Sequence, residues 1–511
     1  MEKNFLKGKR IAITALELEN KEHRGIASFI KSTIEILSKY GAEIYLITGF
    51  DLDRNFKNNL NLEIENLFYS EVYKFLIKGK DHREIFNSST KYKFKLILEL
   101  SRNLFTLFIN NYFLKYKFYK INDISKDKGD LNNRVKYLIN VKGFISVKNI
   151  FHLCRLRSMR LLFKDPILNL KKENIDLIIS SSPLSLKTES NYNNKLIQII
   201  HDALPLKISS HPESGWIFLN RLNDSHKNCP CLYVSQESKA SVGNYLNIKN
   251  LNRNKNGIIY PLPSLGVELL EEAFKITSIR SIEKSFILFN SSIVARKKVE
   301  NAINYFLKSN LPDRKFLLCI AGKMHKNDYC YQIKDLCKNH KNILILDYVS
   351  ESEKAWLFLN TSLLISTSSC EGFGIPILDA LSLNISSLAT SIPSYQEIMN
   401  LNKNNKINLV NQNKQTLWID YLNSLSRFNI KNKNEKRRRI EHFKLFKDYL
   451  EENYPNNRII SDKDYEEIKR IINEYRAAAA TEVSFALVDN PKFQAILQHH
   501  ANRTDKQKLF N

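Results

Sequence analysis

Residues 362–390 read SLLISTSSCEGFGIPILDALSLNISSLAT, and their pattern decides the fold class. SLLIST (362–367) is a short apolar run, the signature of a strand buried on both faces. It ends in small polar residues. Glu371 and Gly372-Phe373-Gly374 follow, then a helix with Pro376 near its first turn. Proline is favoured there because first-turn N–H groups have no partner within the helix. ISSLAT (385–390) repeats the strand pattern. Strand, helix and strand in so short a span predict a parallel pair with a crossover helix.

The same alternation extends in both directions. SFILFN (285–290), KFLLCIAG (315–322) and NILILD (342–347) are further expected strands of this half. Upstream, KRIAIT (9–14), the helical spacing from Arg24 to Tyr40 and AEIYLIT (42–48) form another strand–helix–strand unit, and Gly41 stops the helix. IDLIIS (175–180), KLIQII (195–200), CLYVS (231–235) and GIIYP (257–261) continue it. The expected class is α/β, with two doubly wound Rossmann-like domains. The first is expected over 1–275, with a helical insertion at about 64–165, and the second over 282–445. Closing helices at 446–476 and a tail of different composition at 477–511 follow.

Composition sets the outer limits. The chain has 511 residues, 43% hydrophobic and 26% charged, which is ordinary globular composition. Fourteen glycines and twelve prolines are too few for a linker-rich chain. The net charge of +25 suits anionic partners, although a chain rich in Lys, Asn and Ile acquires basic charge from codon bias as well. No recognised nucleic-acid module accompanies the charge, so no nucleic acid is expected as a partner. Seven sparse cysteines suit a reducing compartment. Cys229 and Cys231 with His226, or Cys330 and Cys337 with His340, lack zinc spacing, so no metal is expected. No stretch of about 20 apolar residues is present to cross a membrane. The expected localisation is cytoplasmic. Residues 94–119, FKLILELSRNLFTLFINNYFLKYKFY, mix aromatic bulk with Lys and Arg, a composition that also suits an anionic membrane surface, here the inner face.

Four constellations carry chemistry. The glycines at 372 and 374 let a ligand approach the backbone, and the helix start behind them favours phosphate. Glu371 beside that anion site is placed to accept hydrogen bonds from sugar hydroxyls, and Asp379 on the helix to meet ribose hydroxyls. Phe373 supplies a backbone N–H. Arg296 and Lys297, at a strand-to-helix loop, are suited to neutralising a diphosphate. His201, in His201-Asp202, ends a strand where ligands bind in open α/β sheets. Gly25 opens the first long helix, where phosphate or acceptor can approach. Each position also has a plainer reading: a helix cap for Glu371 and Asp202, a solvated face for Asp379, a basic turn for Arg296 and Lys297.

Taken together these residues resemble a retaining glycosyltransferase of family 4. That family's pattern is Arg-Lys-Asn, then Ile-Ala-Gly, then Glu-Gly-Phe-Gly-x-Pro-x-x-Glu. The chain carries Arg296-Lys297-Lys298, Ile320-Ala321-Gly322, and Glu371-Gly372-Phe373-Gly374-Ile375-Pro376-Ile377-Leu378-Asp379. Ser394 and Glu397 match a later Ser-x-Pro-Glu in which Gln396 replaces proline. The family's second glutamate is here Asp379, one methylene shorter, and Asp379→Glu is expected to be neutral or to improve donor binding.

The resemblance implies a GT-B fold, two Rossmann-like domains facing a central cleft. It implies transfer of a sugar, with retention of configuration, from a nucleotide-diphosphate sugar to a glycan or lipid-linked acceptor, as in cell-surface polysaccharide biosynthesis. GDP-mannose is the donor of similar mannosyltransferases. Glu371, Lys297, Arg296 and His201 are then the catalytic set. Gly372, Phe373, Gly374, Asp379 and Gly25 bind the donor, and no cofactor or metal is required. An epimerase of the same fold and a non-catalytic sugar-binding homologue are the alternatives. Asp51 and Asp53 could instead hold a metal in the manner of the other major glycosyltransferase fold, a reading that leaves the Glu371 segment unexplained.

Overall fold

Short apolar runs bounded by small polar residues become most of the strands among the described residues, and amphipathic segments between them become crossover helices. The structure, a computed structural model, describes residues 6–19, 25–49, 98, 101–102, 104–120, 136–189, 195–208, 211, 213–246, 257–401, 406–429 and 431–453. Two compact units are present. Among the described residues the first holds those up to Val234 together with Ser238–Tyr260, and the second holds Ser235–Glu237 and those from Pro261 onward.

The first unit is built on an eight-stranded sheet. Its strands are β1 (Arg10–Thr14), β2 (Glu43–Thr48), β3 (Lys117–Lys120), β4 (Val141–Ser146), β6 (Leu177–Ser180), β8 (Lys195–Ile200), β9 (Cys231–Tyr233) and β10 (Gly257–Ile258). They lie in the order β10-β9-β8-β6-β1-β2-β4-β3. All pairs are parallel except β3 on β4. A separate short parallel pair joins β5 (Ile167–Leu168) to β7 (Lys187–Thr188). The helix Gly25–Lys39 buries Phe29, Ile30, Ile34 and Leu37, the stripe expected from its spacing.

The expected helical insertion at 64–165 is corrected here. Val141–Ser146 is a parallel strand of the main sheet, and Lys117–Lys120 an antiparallel strand at its edge. Residues 104–109 are helical, but the expected single helix over 94–119 ends before Tyr112, and Phe113 bridges to Ile167. The physical reason lies in KYKFYK (115–120), whose lysines alternate with aromatics, the period of a strand at a sheet edge. Residues 50–97, 121–135 and the tail from 454, which include Asp51 and Asp53, lie outside the described residues.

The second unit has six parallel strands. They are β11 (Phe286–Asn290), β12 (Leu317–Ala321), β13 (Ile343–Asp347), β14 (Leu363–Ser366), β15 (Ser387–Thr390) and β16 (Ile407–Val410). Their order is β13-β12-β11-β14-β15-β16. Five correspond to expected strands; INLV at β16 was not expected. The unit begins earlier than position 282, because the helix Val267–Lys275 buries Leu270 and Ala273, and the carbonyl of the adjoining Ile276 accepts from Trp356 Nε1 at 3.0 Å. The first domain therefore ends at 260 rather than 275.

The long helix Lys433–Asn453 closes this unit by capping two other helices. Arg439 donates to the carbonyls of Phe358, Leu359 and Thr361, at the end of helix Glu351–Asn360. His442 Nδ1 donates to the carbonyl of Ser382 at 2.8 Å, at the end of helix Ile375–Ser382. Both partners are unpaired helix-end carbonyls, where cationic side chains are favoured.

Candidate active site

The second sheet changes winding direction between β11 and β14, since the chain runs outward through β12 and β13 on one side and through β15 and β16 on the other. In open α/β sheets ligands bind outside the carboxyl ends of strands at such a point. The loops that leave β11 and β14 there carry Arg296, Lys297 and Glu371.

These two loops are stitched together. Ser369 donates through its N–H and its hydroxyl to the Arg296 carbonyl, at 2.8 and 3.0 Å. Thr367 Oγ1 donates to the carbonyls of Lys297 and Lys298, at 2.9 and 2.6 Å. The side chains then converge. Arg296 Nη1 donates to Glu371 Oε2 at 2.9 Å and to the Cys370 carbonyl at 3.1 Å. Lys297 Nζ pairs with Glu371 Oε1. Tyr395 donates to the same oxygen at 3.4 Å and receives a bond from Ser366 Oγ at 2.7 Å.

Electrostatics follow from this geometry. Burial works to raise the Glu371 pKa, but Lys297 and Arg296 outweigh it and hold the carboxyl at about 2. Burial lowers Lys297 to about 8 in spite of the neighbouring carboxylate, and the Arg296 charge pushes the same way. Burial and then the Glu371 charge keep the Tyr395 hydroxyl protonated, well above its usual range. Near neutral pH the group is two cations held by one anion, a net positive site. Arg296 is the more exposed of the two cations.

Two glycines shape the surroundings. Gly374 caps the helix Ile375–Ser382 with φ +117°, a backbone that favours glycine, and a Cβ there would lie 2.5 Å from Tyr395 Cε1. Phe373, between Gly372 and Gly374, is buried. Gly322, at the end of β12, admits the carbonyl of Ser291 where a Cβ would sit.

Asp379 does not stand where a ribose contact was expected. It is buried, and both its oxygens are taken by Ser264: the N–H donates to Oδ1 at 2.6 Å and the hydroxyl to Oδ2 at 2.5 Å. Burial raises its pKa to about 6 against the pull of Lys354 and Ser264. Asp379 therefore anchors the segment around Ser264 within the second unit. Asp379→Ala, which strands the half-buried Ser264 N–H, is expected to cost about 1–3 kcal/mol in urea unfolding. Asp379→Asn is expected to retain most of the stability, because the amide can meet both Ser264 groups. Asp379→Glu adds a methylene to a full site and is now expected to destabilise rather than to improve donor binding.

In the first unit the corresponding change of direction lies between β1 and β6. Ser181 N–H donates to Thr14 Oγ1 at 2.8 Å across it. His201, at the end of β8, donates from Nε2 to the Ser181 carbonyl at 2.8 Å, and its ring meets Phe29 edge-on at 5.4 Å. Burial lowers its pKa to about 4, so the ring is neutral and Nδ1 is the acceptor. Asp202 caps the turn into Leu204 at 2.9 Å. Gly25 is the exposed first residue of its helix. Glu19, not singled out by sequence, accepts from the Gly49 N–H at 2.8 Å, and burial pushes its pKa up to about 8. Tyr395 and Ser264 were missed as well, since neither stands in a sequence signal distinguishable from core and loop.

Residues 272–444, which contain this constellation, match the model of the glycosyl transferases group 1 family. No curated protein matches the sequence. Among solved structures it is similar to Anabaena HepE in complex with UDP and glucose, at 12% identity over 86% of this chain and 94% of that one, with a TM-score of 0.46. It is also similar to a variant of S. aureus TarM in complex with fondaparinux, alpha-GlcNAc-glycerol and UDP, at 12% identity over 92% and 100%, with a TM-score of 0.49. A Rickettsia africae glycosyltransferase is similar at 14% identity over 92% and 99%, with a TM-score of 0.45.

Proposed function

We propose that this chain is a group 1 glycosyltransferase that moves a hexose from a nucleotide-diphosphate sugar to a glycan or lipid-linked acceptor, with retention of configuration. The observation that carries the reading is the Arg296–Lys297 pair, locked by Glu371 at the switch point of the second sheet, in the loop that leads into the Gly374-capped helix Ile375–Ser382. Negative charge grows on the departing diphosphate in the transition state. Fixed cations and backbone N–H groups aimed at that charge lower the barrier without reorganising. Glu371 orients both cations and, once a diphosphate shares them, has oxygens free to accept from hydroxyls of the transferred sugar. In the first unit, His201 Nδ1 is fixed as a hydrogen-bond acceptor.

The cations already on the protein leave no charge-neutralising role for a divalent metal. Turnover is expected to survive EDTA; complete loss restored by Mg²⁺ or Mn²⁺ would refute this. GDP-mannose is the first donor to try in a panel of nucleotide sugars, scored by release of nucleoside diphosphate with and without acceptor glycans. Acceptor-dependent release supports the transferase. Acceptor-independent change of the sugar points to an epimerase, and binding without turnover to a non-catalytic homologue.

A further inference from the structure

The first unit leaves a group of large apolar side chains outside its core. Within residues 104–109, Leu104 and Leu107 pack inward, while Phe105, Phe108 and Ile109 are 66%, 46% and 68% exposed. Their i, i+3, i+4 spacing puts these three on one helix face. The loop 160–165 repeats the arrangement: Leu162 is buried, and Leu161 and Phe163 are 61% and 87% exposed.

The two pieces are neighbours. Leu107 and Leu162 belong to one apolar cluster. Beyond the helix, Ile167 N–H donates to the Tyr112 carbonyl and Leu114 N–H to the Ile167 carbonyl, both at 2.8 Å. Single exposed apolar residues are ordinary, but a contiguous group of this kind marks an interaction surface.

The charge around the group identifies the partner. Arg102, Lys115 and Lys164 are exposed and make no ion pair among the described residues. No acidic residue occurs from Ser101 to Lys120. Asp165, the nearest acid in the loop, is buried and neutralised by Arg157 and Lys187. Exposed aromatic and aliphatic side chains on described segments whose exposed charged residues, Arg102, Lys115 and Lys164 among them, are basic match the interface of an anionic bilayer, where apolar groups enter the acyl boundary and basic groups meet the headgroups. We propose that this surface docks the chain on an anionic lipid membrane, with Phe105, Phe108, Ile109, Leu161 and Phe163 entering the interface. Insertion comes from a short helix and a loop, not from the single helix expected over 94–119. The inference stands independently of the transferase reading, and a lipid-linked acceptor would connect the two.

The test is co-sedimentation of the full chain with vesicles of phosphatidylcholine, alone or mixed with phosphatidylglycerol. Binding is expected to the mixed vesicles and to weaken with salt. Lys115→Glu and Lys164→Glu should each lower partitioning about five-fold or more. The combined variant Phe105→Ser, Ile109→Ser, Phe163→Ser should lower it about ten-fold or more with an unchanged melting temperature, because these side chains are largely in solvent. No binding to either vesicle, or equal binding by wild type and the serine variant, overturns the proposal. So does a wild-type dimer in light scattering that the serine variant converts to monomer, since the surface would then be a self-interface.

Discussion

Lys297→Ala is expected to slow turnover by about 10²–10³, the usual loss when one preorganised charge-stabilising donor is removed. Glu371→Ala should lose as much by a different route, since Arg296 and Lys297 would repel each other with no anion between them. Both variants should keep the wild-type circular dichroism spectrum, and near-wild-type rates in both would sink the assignment. The pH profile separates the two roles. Lys297 sits at about 8, below its ordinary 10.5, so the cation is lost as pH rises through about 8 and kcat/KM should fall there. The linkage to stability runs the other way. Between about 8 and 10.5 the unfolded chain holds this proton and the folded chain does not, so the contribution to stability rises with pH across that window. An alkaline loss of activity without unfolding is therefore expected from this group. Glu371→Gln removes the anion that holds the Lys297 proton and should move the activity limb to lower pH. Lys297→Arg should abolish that limb.

The second unit was the more legible half in the sequence. Its central strands β11, β12 and β14 are short, mainly apolar and almost wholly buried, and Gly374 with Pro376 marks a helix start by two independent constraints on the backbone. The apposition of Arg296, Lys297 and Glu371 was only half legible. Motif spacing places them in two loops some 75 positions apart, and the doubly wound order brings those loops together at the switch point. What escaped was determined by contacts between distant segments. Asp379 was read as a ligand group because its position in the motif suggested one, whereas its oxygens are taken by Ser264, 115 positions away. Residues 64–165 read as helical because long aromatic stretches have no decisive period, and β4, VKGFIS, lacks the flanking signals that marked the other strands. His201 was found from its place at a strand end, while its fixed tautomer depends on the Ser181 carbonyl, which no local pattern reveals.

Gly322→Ala is the substitution expected to damage the fold most. A Cβ at Gly322 would lie 1.6 Å from the Ser291 carbonyl oxygen, and that atom is backbone, so no rotamer change relieves the overlap. The two segments are also hydrogen-bonded here: Ser291 N–H donates to the Ala321 carbonyl at 2.9 Å, and Gly322 N–H to the Asp347 carbonyl at 2.8 Å. Moving either one breaks the continuation of the β11–β12–β13 ladder. The loss should reach at least the upper end of the usual overpacking range, about 3 kcal/mol, visible as a lower urea midpoint with unchanged m-value. Ser291 begins the loop that ends in Arg296 and Lys297, so the same displacement should reduce activity in molecules that remain folded. Gly374→Ala offers the contrast. Its added methyl meets the Tyr395 ring, a side chain that can turn aside where the Ser291 backbone cannot, so its loss should be the smaller of the two even though the φ of +117° also disfavours alanine. A Gly322→Ala protein as stable as wild type would show that the β11 loop does not approach β12 as closely as described.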